Sequence, residues 1–145
     1  MLLLLGVQTA NRPGISAMKE TVIDAMDFGK ETYCKGTDIV SESAGIVFFE
    51  ECFNKWKAQI TLPEKTCAQW LEKIDRWLKL RVSAIMDANR RNYYGECAAF
   101  IAALGEVLES RGESGEKQRI MQWYRMEYSR RRAFHEELRR YGMKK

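Results

Sequence analysis

The sequence predicts an all-α protein, an irregular bundle of about six helices. Only two prolines, Pro13 and Pro63, occur in 145 residues, and proline is the residue that most strongly interrupts helices. Ala, Leu, Glu, Lys and Arg, which favour helices, are abundant. Apolar residues recur at intervals of three and four along most of the chain, which is the period of an amphipathic helix. The length fits a single helical domain, residues 1–145, in which residues 1–14 are a candidate irregular N-terminal segment.

Two helices are predicted in the N-terminal part of the chain. "RPGIS" is expected to be a turn, because Pro fixes φ and Gly permits unusual dihedral angles, and the apolar spacing after it predicts a helix over residues 16–31. Gly36 in "YCKGTD" interrupts that pattern. A second apolar stripe follows, from Phe49 to Ile60. The bulky residues 46–48 also fit a strand, but the regular continuation to Trp56 favours a helix.

The clearest predicted helix follows the connector "TLPEKT". Thr66 and Gln69 fit a capping box, in which the hydroxyl and the amide each satisfy a backbone donor at the helix end. The apolar series then continues from Cys67 to Ile85. Trp70 and Trp77 are seven residues apart, so we expect them on one side of this helix.

The segment "YYGECAAFIAALGEVLES" is the candidate central helix. It combines an apolar series with small residues, which let neighbouring helices approach closely. "SRGESGEK" is expected to be a loop, and Ser114 and Ser129 are candidate caps for the last two helices. Gly142 is well placed as the residue that ends the last helix. That helix carries a narrow apolar stripe of three residues, Phe134, Leu138 and Tyr141.

The cysteines and the first residues bear on the cellular location. Four scattered cysteines without a CxxC pair do not resemble a zinc site. Disulfides in a secreted protein are the alternative, but the apolar surroundings favour reduced thiols. "MLLLLGVQTA" lacks the basic region of a signal peptide and its apolar run is short, so we interpret it as a core segment. Since no run reaches the roughly 20 apolar residues of a membrane span, we expect a cytoplasmic protein without a membrane partner.

Positive charge is concentrated at the C terminus. The formal net charge is +4, and residues 110–145 contain 11 Lys or Arg against 5 Glu. Such a surface is expected to meet phosphate or an acidic partner. Basic groups at a helix C-terminus also favour the macrodipole, whereas three successive Arg at a helix start have no such explanation. The candidate partner-binding or nucleic-acid-binding residues are Arg119, Arg125, Arg130, Arg131, Arg132, Arg139, Arg140, Lys144 and Lys145.

The sequence offers little support for an enzyme. It contains no P-loop, GxGxxG, GxSxG or HExxH pattern. Its one histidine, His135, cannot supply the two Glu-x-x-His sets of a di-metal bundle, and no spacing pairs it with a cysteine. Asp24, Asp27 and Glu31 form an acidic row, but without a calcium loop a solvated face is the simpler interpretation. We therefore expect no catalytic residue, no metal ligand and no cofactor.

Three pieces of the sequence carry a family resemblance: "YYGECAAFIAALGEVLESRGE", "KQRIM" and "SRRRAFHEELRRYG". They resemble the C-terminal helical region of bacterial proteins that carry a SWIM-type zinc finger further upstream, and the resemblance covers residues 62–143. It implies a nucleic-acid or protein-interaction context. The CxCx(n)CxH ligand pattern of the finger is absent from this sequence, so the resemblance implies no zinc role here.

Two functions from different classes follow from these observations. The first is a non-catalytic interaction module that docks a macromolecular partner, in particular a protein, and that can regulate or inhibit a nucleic-acid-processing protein. The four tryptophans are plausible anchors for such a contact, because Trp and Arg often dominate interfaces. The alternative is direct nucleic-acid binding through the basic surface of the C-terminal helix. The sequence predicts neither the partner nor the oligomeric state.

Overall fold

The structure is a computed structural model that describes residues 12–25, 34–35, 38–39 and 42–144, with side chains in residues 12–25 and 51–144. This part of the chain is an all-α bundle, which confirms the predicted fold class. The described residues contain six α-helices: α1 (Pro13–Ala25), α2 (Glu42–Gln59), α3 (Glu64–Asp87), α4 (Tyr94–Ser110), α5 (Glu116–Glu127) and α6 (Arg132–Arg140). Two short strands between α1 and α2, β1 (Cys34–Lys35) and β2 (Asp38–Ile39), pair in antiparallel fashion, and a 3-10 turn, Arg91–Tyr93, precedes α4.

The chain divides into two compact units. One comprises residues 19–63 and holds most of α1, the short ladder and α2. In it Phe53 is buried, and the Lys19 ammonium lies 5.6 Å from the centroid of the Phe53 ring. The other comprises the residues up to 18 and those from 64 onward, and it contains α3 to α6 with the start of α1. The prediction of a single domain stays a prediction.

Helix α4 is the centre of the larger unit, as the sequence predicts. Helices α3, α5 and α6 all pack against it, and its residues from Tyr94 to Val107 are mostly buried. Small side chains on α4 permit this close packing. A Cβ atom at Gly105 would lie 2.4 Å from the Cα atom of Lys117, so α5 approaches as closely as it does only because position 105 has no side chain.

Helix α1 begins three residues earlier than the sequence predicts. "RPGIS" is not a turn, because Pro13 and Gly14 already belong to the helix. The Ser16 amide donates to the Arg12 carbonyl at 2.8 Å, which places Pro13 at the first helical position, where its missing N–H costs nothing. A Cβ atom at Gly14 would lie 2.4 Å from the Ala103 nitrogen, so this glycine serves close packing on α4. Residues 1–11 and 26–31, which the two N-terminal predictions include, lie outside the described residues.

The predicted helix caps are wrong at three helix starts. Helix α3 begins at Glu64, so Thr66 lies inside its first turn and cannot form the capping box. Helix α5 is preceded by Gly115 in the left-handed region, with φ +83°, and not by a capping Ser114. Helix α6 is preceded by Arg131, without a side-chain cap, and not by Ser129. At the start of α6 a contact with a distant segment accounts for the difference, because the Arg131 side chain donates to the Met86 carbonyl of α3.

The predicted end of α6 is confirmed. Gly142 has φ +99°, and its amide donates to the Arg139 carbonyl at 3.0 Å, while the Met143 amide donates to the Leu138 carbonyl at 3.1 Å. These two bonds form a Schellman motif, which satisfies the carbonyls at the helix end. Met143 is buried beside them, as are Phe134 and Leu138 of the predicted stripe.

Several predictions about single side chains can be compared with this fold. Cys52, Cys67 and Cys97 are free thiols, whereas the side chain of Cys34 lies outside the described residues. Trp77 is 55% exposed, although the apolar series on α3 includes it. The residues of the acidic row beyond Asp24 lie outside the described part. Among the described residues, no helix is long and apolar enough to cross a membrane.

Candidate functional site: an acidic groove between three helices

A groove with a cavity volume of about 430 Å³ opens between α3, α4 and α5. Its floor is apolar, because the buried side chains of Leu104, Ile120 and Tyr124 line it. The α3 residues Glu64, Ala68, Leu71 and Asp75 line the groove from one side. They follow one another at intervals of three and four positions, so they lie on the same face of the helix. This volume falls within the range of sites that hold a ligand or a few side chains of a partner. We call this feature the acidic groove.

The rim of the acidic groove is negatively charged, although the protein as a whole is basic. Three cations also line it, but each already has an anionic neighbour. Lys79 pairs with Asp75 at 2.7 Å, Arg111 pairs with Glu64, and Arg119 pairs with Glu116. The carboxylates that line the groove are Glu64, Glu72, Asp75, Glu113 and Glu116, and they outnumber the cations.

Trp123 stands at the edge of the acidic groove, where its side chain is 41% exposed. Its ring meets the Tyr124 ring edge to face, with the centroids 4.8 Å apart. The Lys79 ammonium lies 5.3 Å from the centroid of the Trp123 ring while it also pairs with Asp75. A cation therefore already sits between an aromatic face and a carboxylate here, an arrangement that attracts cations.

The Tyr124 hydroxyl is the unusual polar group of this site. It is fully buried and has no hydrogen-bond partner within the described residues. Burial, and then the charge of Asp75, raise the pKa of the Tyr124 hydroxyl above its ordinary value. Buried polar groups are normally paired, so this hydroxyl, which is buried and not exposed in the groove, is an exception.

Arg131, one of the predicted site residues, makes structural contacts. Its guanidinium donates to the Met86 carbonyl at 2.7 Å and to the Asn89 side chain at 2.8 Å. Met86 lies in the last turn of α3, whose carbonyls have no partner in the helix. Asn89 follows with φ +51°. Arg131 thus caps the C-terminus of α3, which accounts for one of the three arginines at the start of α6.

The remaining predicted site residues do not form one continuous set of free cations. Arg119 lies at the acidic groove in a two-point contact with Glu116, at 2.7 and 2.5 Å. Arg140 pairs with Glu137 at 3.0 Å, and Arg125 is half-buried in the last turn of α5. Lys145 lies outside the described residues. Four predicted residues are exposed and make no side-chain ion pair within the described part of the chain: Arg130, Arg132, Arg139 and Lys144.

His135 and Cys97 both lie within the packing of the larger unit. The His135 ring contacts the Tyr128 carbonyl through Nε2 at 2.9 Å. Cys97 is fully buried, and burial raises the pKa of its thiol to about 11. A reactive cysteine has the opposite shift, toward the thiolate. Among the described residues, no group of three His, Cys, Asp or Glu side chains is arranged to hold a metal ion.

Sequence reasoning did not find the acidic groove. Its carboxylates come from α3, from the loop that holds Glu113 and from the first turn of α5, so no single stretch of sequence is acidic. One local signal was present. Glu64, Ala68, Leu71 and Asp75 follow one another at intervals of four, three and four along α3, which indicates a helix face that is both apolar and acidic.

Comparison of the chain with protein-family models, with curated proteins and with solved structures finds no match in any of the three. The resemblance to the helical region of SWIM-type proteins therefore stays a prediction.

Proposed function

We propose that this protein is a non-catalytic interaction module that docks a protein partner in the acidic groove. The observation that carries the proposal is the composition of the groove, with a buried apolar floor, a net acidic rim and an exposed Trp123 at its edge. Tryptophan on an interface supplies a large contact area and often dominates the binding energy. The apolar floor supplies affinity and the charged rim supplies specificity and orientation.

Two observations support a non-catalytic role. The imidazole of His135 is held against a backbone carbonyl, and the Cys97 thiol is buried and protonated at neutral pH. Neither group lines the acidic groove. The groove residues that can ionise are carboxylates and their paired cations, which suit recognition of a charged surface.

The sequence resemblance is the basis for the cellular context of this proposal. The helical region that it covers suggests a partner among nucleic-acid-processing proteins, which this module regulates or inhibits in the cytoplasm. A small rigid bundle can act in this way without chemistry of its own, because occupying a surface of the partner is sufficient.

Site-specific photocrosslinking in the source organism tests the proposal. A benzophenone amino acid replaces Ala68, an exposed residue that lines the acidic groove, and in a matched variant it replaces Ala133, an exposed residue of α6. We expect a discrete protein adduct that survives nuclease from position 68 and none from position 133. An adduct from position 133 alone, or equal adducts from both, would contradict docking in the groove.

A second function, direct nucleic-acid binding, is favoured by the four exposed and unpaired cations Arg130, Arg132, Arg139 and Lys144. Each phosphate that such a surface neutralises steepens the salt dependence of binding. A salt titration with labelled single-stranded and double-stranded nucleic acid measures this. We expect the double substitution Arg130→Glu with Arg132→Glu to abolish binding, while Lys65→Glu with Lys73→Glu, the same charge change on exposed residues of α3, largely preserves it. The surface is wrong if both pairs weaken binding equally or if the wild type does not bind at low salt.

A further inference from the structure

We infer that the acidic groove takes a cationic segment of the partner, in which an Arg or Lys pairs with Asp75. Apolar side chains of the same segment lie on the groove floor beside Trp123. This inference rests on the proposed function and adds the chemistry of the occupant. Three properties of the groove support it: the sign of its charge, the cation that Asp75 already holds and its length.

The charge of the groove selects a cationic occupant. Its carboxylates outnumber its cations, and those cations are paired within the protein. Glu113 makes no ion pair within the described residues, and the partner of Glu72 is Arg76, a contact between two side chains that are each 72% exposed. Such exposed pairs contribute little and exchange readily. An incoming cation therefore finds acceptors without breaking a buried contact, whereas a phosphate is repelled.

Lys79 already shows which chemical group fits the groove. Its ammonium lies between the Asp75 carboxylate, at 2.7 Å, and the face of Trp123. The two side chains of this ion pair are 47% and 35% exposed, so the contact is easily displaced. An Asp carboxylate also has acceptor sites for more than one donor. A partner cation can thus share Asp75 with Lys79 or take its place over the ring.

The distance between the carboxylates at the two ends of the groove face of α3 favours a chain segment over a small cation as the occupant. Glu64 and Asp75 lie on the same helix, eleven positions apart, which corresponds to about 16 Å at 1.5 Å per residue. A single small amine meets one of these two carboxylates. An extended segment of about five residues spans the distance between them, which lets basic side chains reach both ends and places apolar ones between them.

Fluorescence anisotropy with defined labelled peptides tests this inference on the full-length protein. The probes are short peptides that combine Arg and Leu in a Ser background, with matched sets in which Glu replaces Arg or Ser replaces Leu. We expect the Arg–Leu probes to bind, with an affinity that falls as salt is added, and both matched sets to bind at least about tenfold more weakly. Equal binding of the Arg and Glu probes would overturn the inference. The inference would also be overturned if spermidine displaced the labelled probe at the same concentrations as unlabelled Arg–Leu peptides.

Two sets of variants locate the contact. Asp75→Asn should weaken Arg–Leu binding about five- to tenfold, because it removes the carboxylate charge with which the partner cation pairs. Glu72→Gln with Glu113→Gln should also weaken binding, and Glu127→Gln with Glu136→Gln, exposed residues outside the groove, should not. An Asp75→Asn protein that folds and binds the Arg–Leu probes normally would contradict the inference. A crosslink at position 68 without binding of any Arg–Leu probe would reject this occupant and leave the proposed function standing.

Discussion

Replacing Glu106 with Gln should lower the free energy of unfolding by about 3–5 kcal/mol, the cost of breaking a buried ion pair by removing one partner. Glu106 is 0% exposed in the centre of α4. One of its oxygens accepts from the Lys117 ammonium at 2.5 Å and from the Gly14 amide at 3.2 Å, and the other accepts from the Ile15 amide at 2.9 Å. The amide side chain of the Glu106→Gln variant would turn an N–H group toward one of these donors. It would also leave Lys117, which is 5% exposed, without a counter-charge.

Removing the Lys117 ammonium should lower the free energy of unfolding by less than removing the charge of Glu106. In Lys117→Met the Glu106 carboxylate keeps the amides of Gly14 and Ile15, which are free donors of the first turn of α1. It also lies at the positive end of that helix dipole. We therefore expect a loss of about 1–3 kcal/mol for this variant.

Urea unfolding followed by circular dichroism measures both variants, with the m-value as a check that the unfolding transition is unchanged. Since a domain of this size is stable by about 5–15 kcal/mol, Glu106→Gln should still fold at low temperature, and its thermal midpoint gives a second reading. The reasoning is refuted if Glu106→Gln costs less than about 1 kcal/mol, which is within the range of an ordinary surface substitution. It is also refuted if Lys117→Met costs more than Glu106→Gln.

Three further predictions concern the bundle. Arg131→Ala should lower the free energy of unfolding by about 1–3 kcal/mol in urea, because it removes the bond to the Met86 carbonyl at the end of α3 and the bond to the Asn89 side chain. Arg130→Ala should leave it unchanged, and equal effects would contradict the capping role. Gly142→Ala should cost about 1–2 kcal/mol, because φ is +99° there, and a neutral result in thermal unfolding would refute the Schellman assignment. Burial raises the pKa of the Cys97 thiol from 9.0 to about 11. The unfolded thiol therefore ionises first, and about 2–3 kcal/mol of stability present below pH 9 should be lost as the pH rises to about 11. Urea titrations at several pH values should show a loss that is larger in the wild type than in Cys97→Ala by this amount, because the raised pKa of the Tyr124 hydroxyl contributes a loss in both proteins.

The fold class and the central helix could be predicted because their causes are local. In α4 the apolar period and the small residues lie within one continuous segment, so a window of sequence contains the whole signal. The same holds for the end of α6, where Gly142 supplies the positive φ and Leu138 and Met143 complete the motif within six residues. Local propensity and tertiary packing agree at these positions.

The helix starts were predicted less well because other segments determine them. Ser129 has the chemistry of a cap, yet α6 begins after Arg131, whose side chain is held by the end of α3. Pro13 and Gly14 resemble a turn, yet they form the first turn of α1, because Glu106 accepts from the Gly14 amide and Gly14 lacks the Cβ atom that would collide with the Ala103 backbone. In both places a contact between distant residues outweighs a local preference worth about 1 kcal/mol.

The same distinction explains why sequence reasoning and structure point to different surfaces. Arg130, Arg131 and Arg132 are adjacent in sequence, so charge counted along the chain identifies them at once, although one of them only caps a helix. The carboxylates of the acidic groove become a site only when α3 and α5 pack against α4. A basic protein with a net acidic groove can keep phosphates away from that groove and still attract a cationic segment to it. The two proposed functions therefore require opposite charges in their ligands and use separate residues of the described structure, so charge reversal at either surface should alter only one of them.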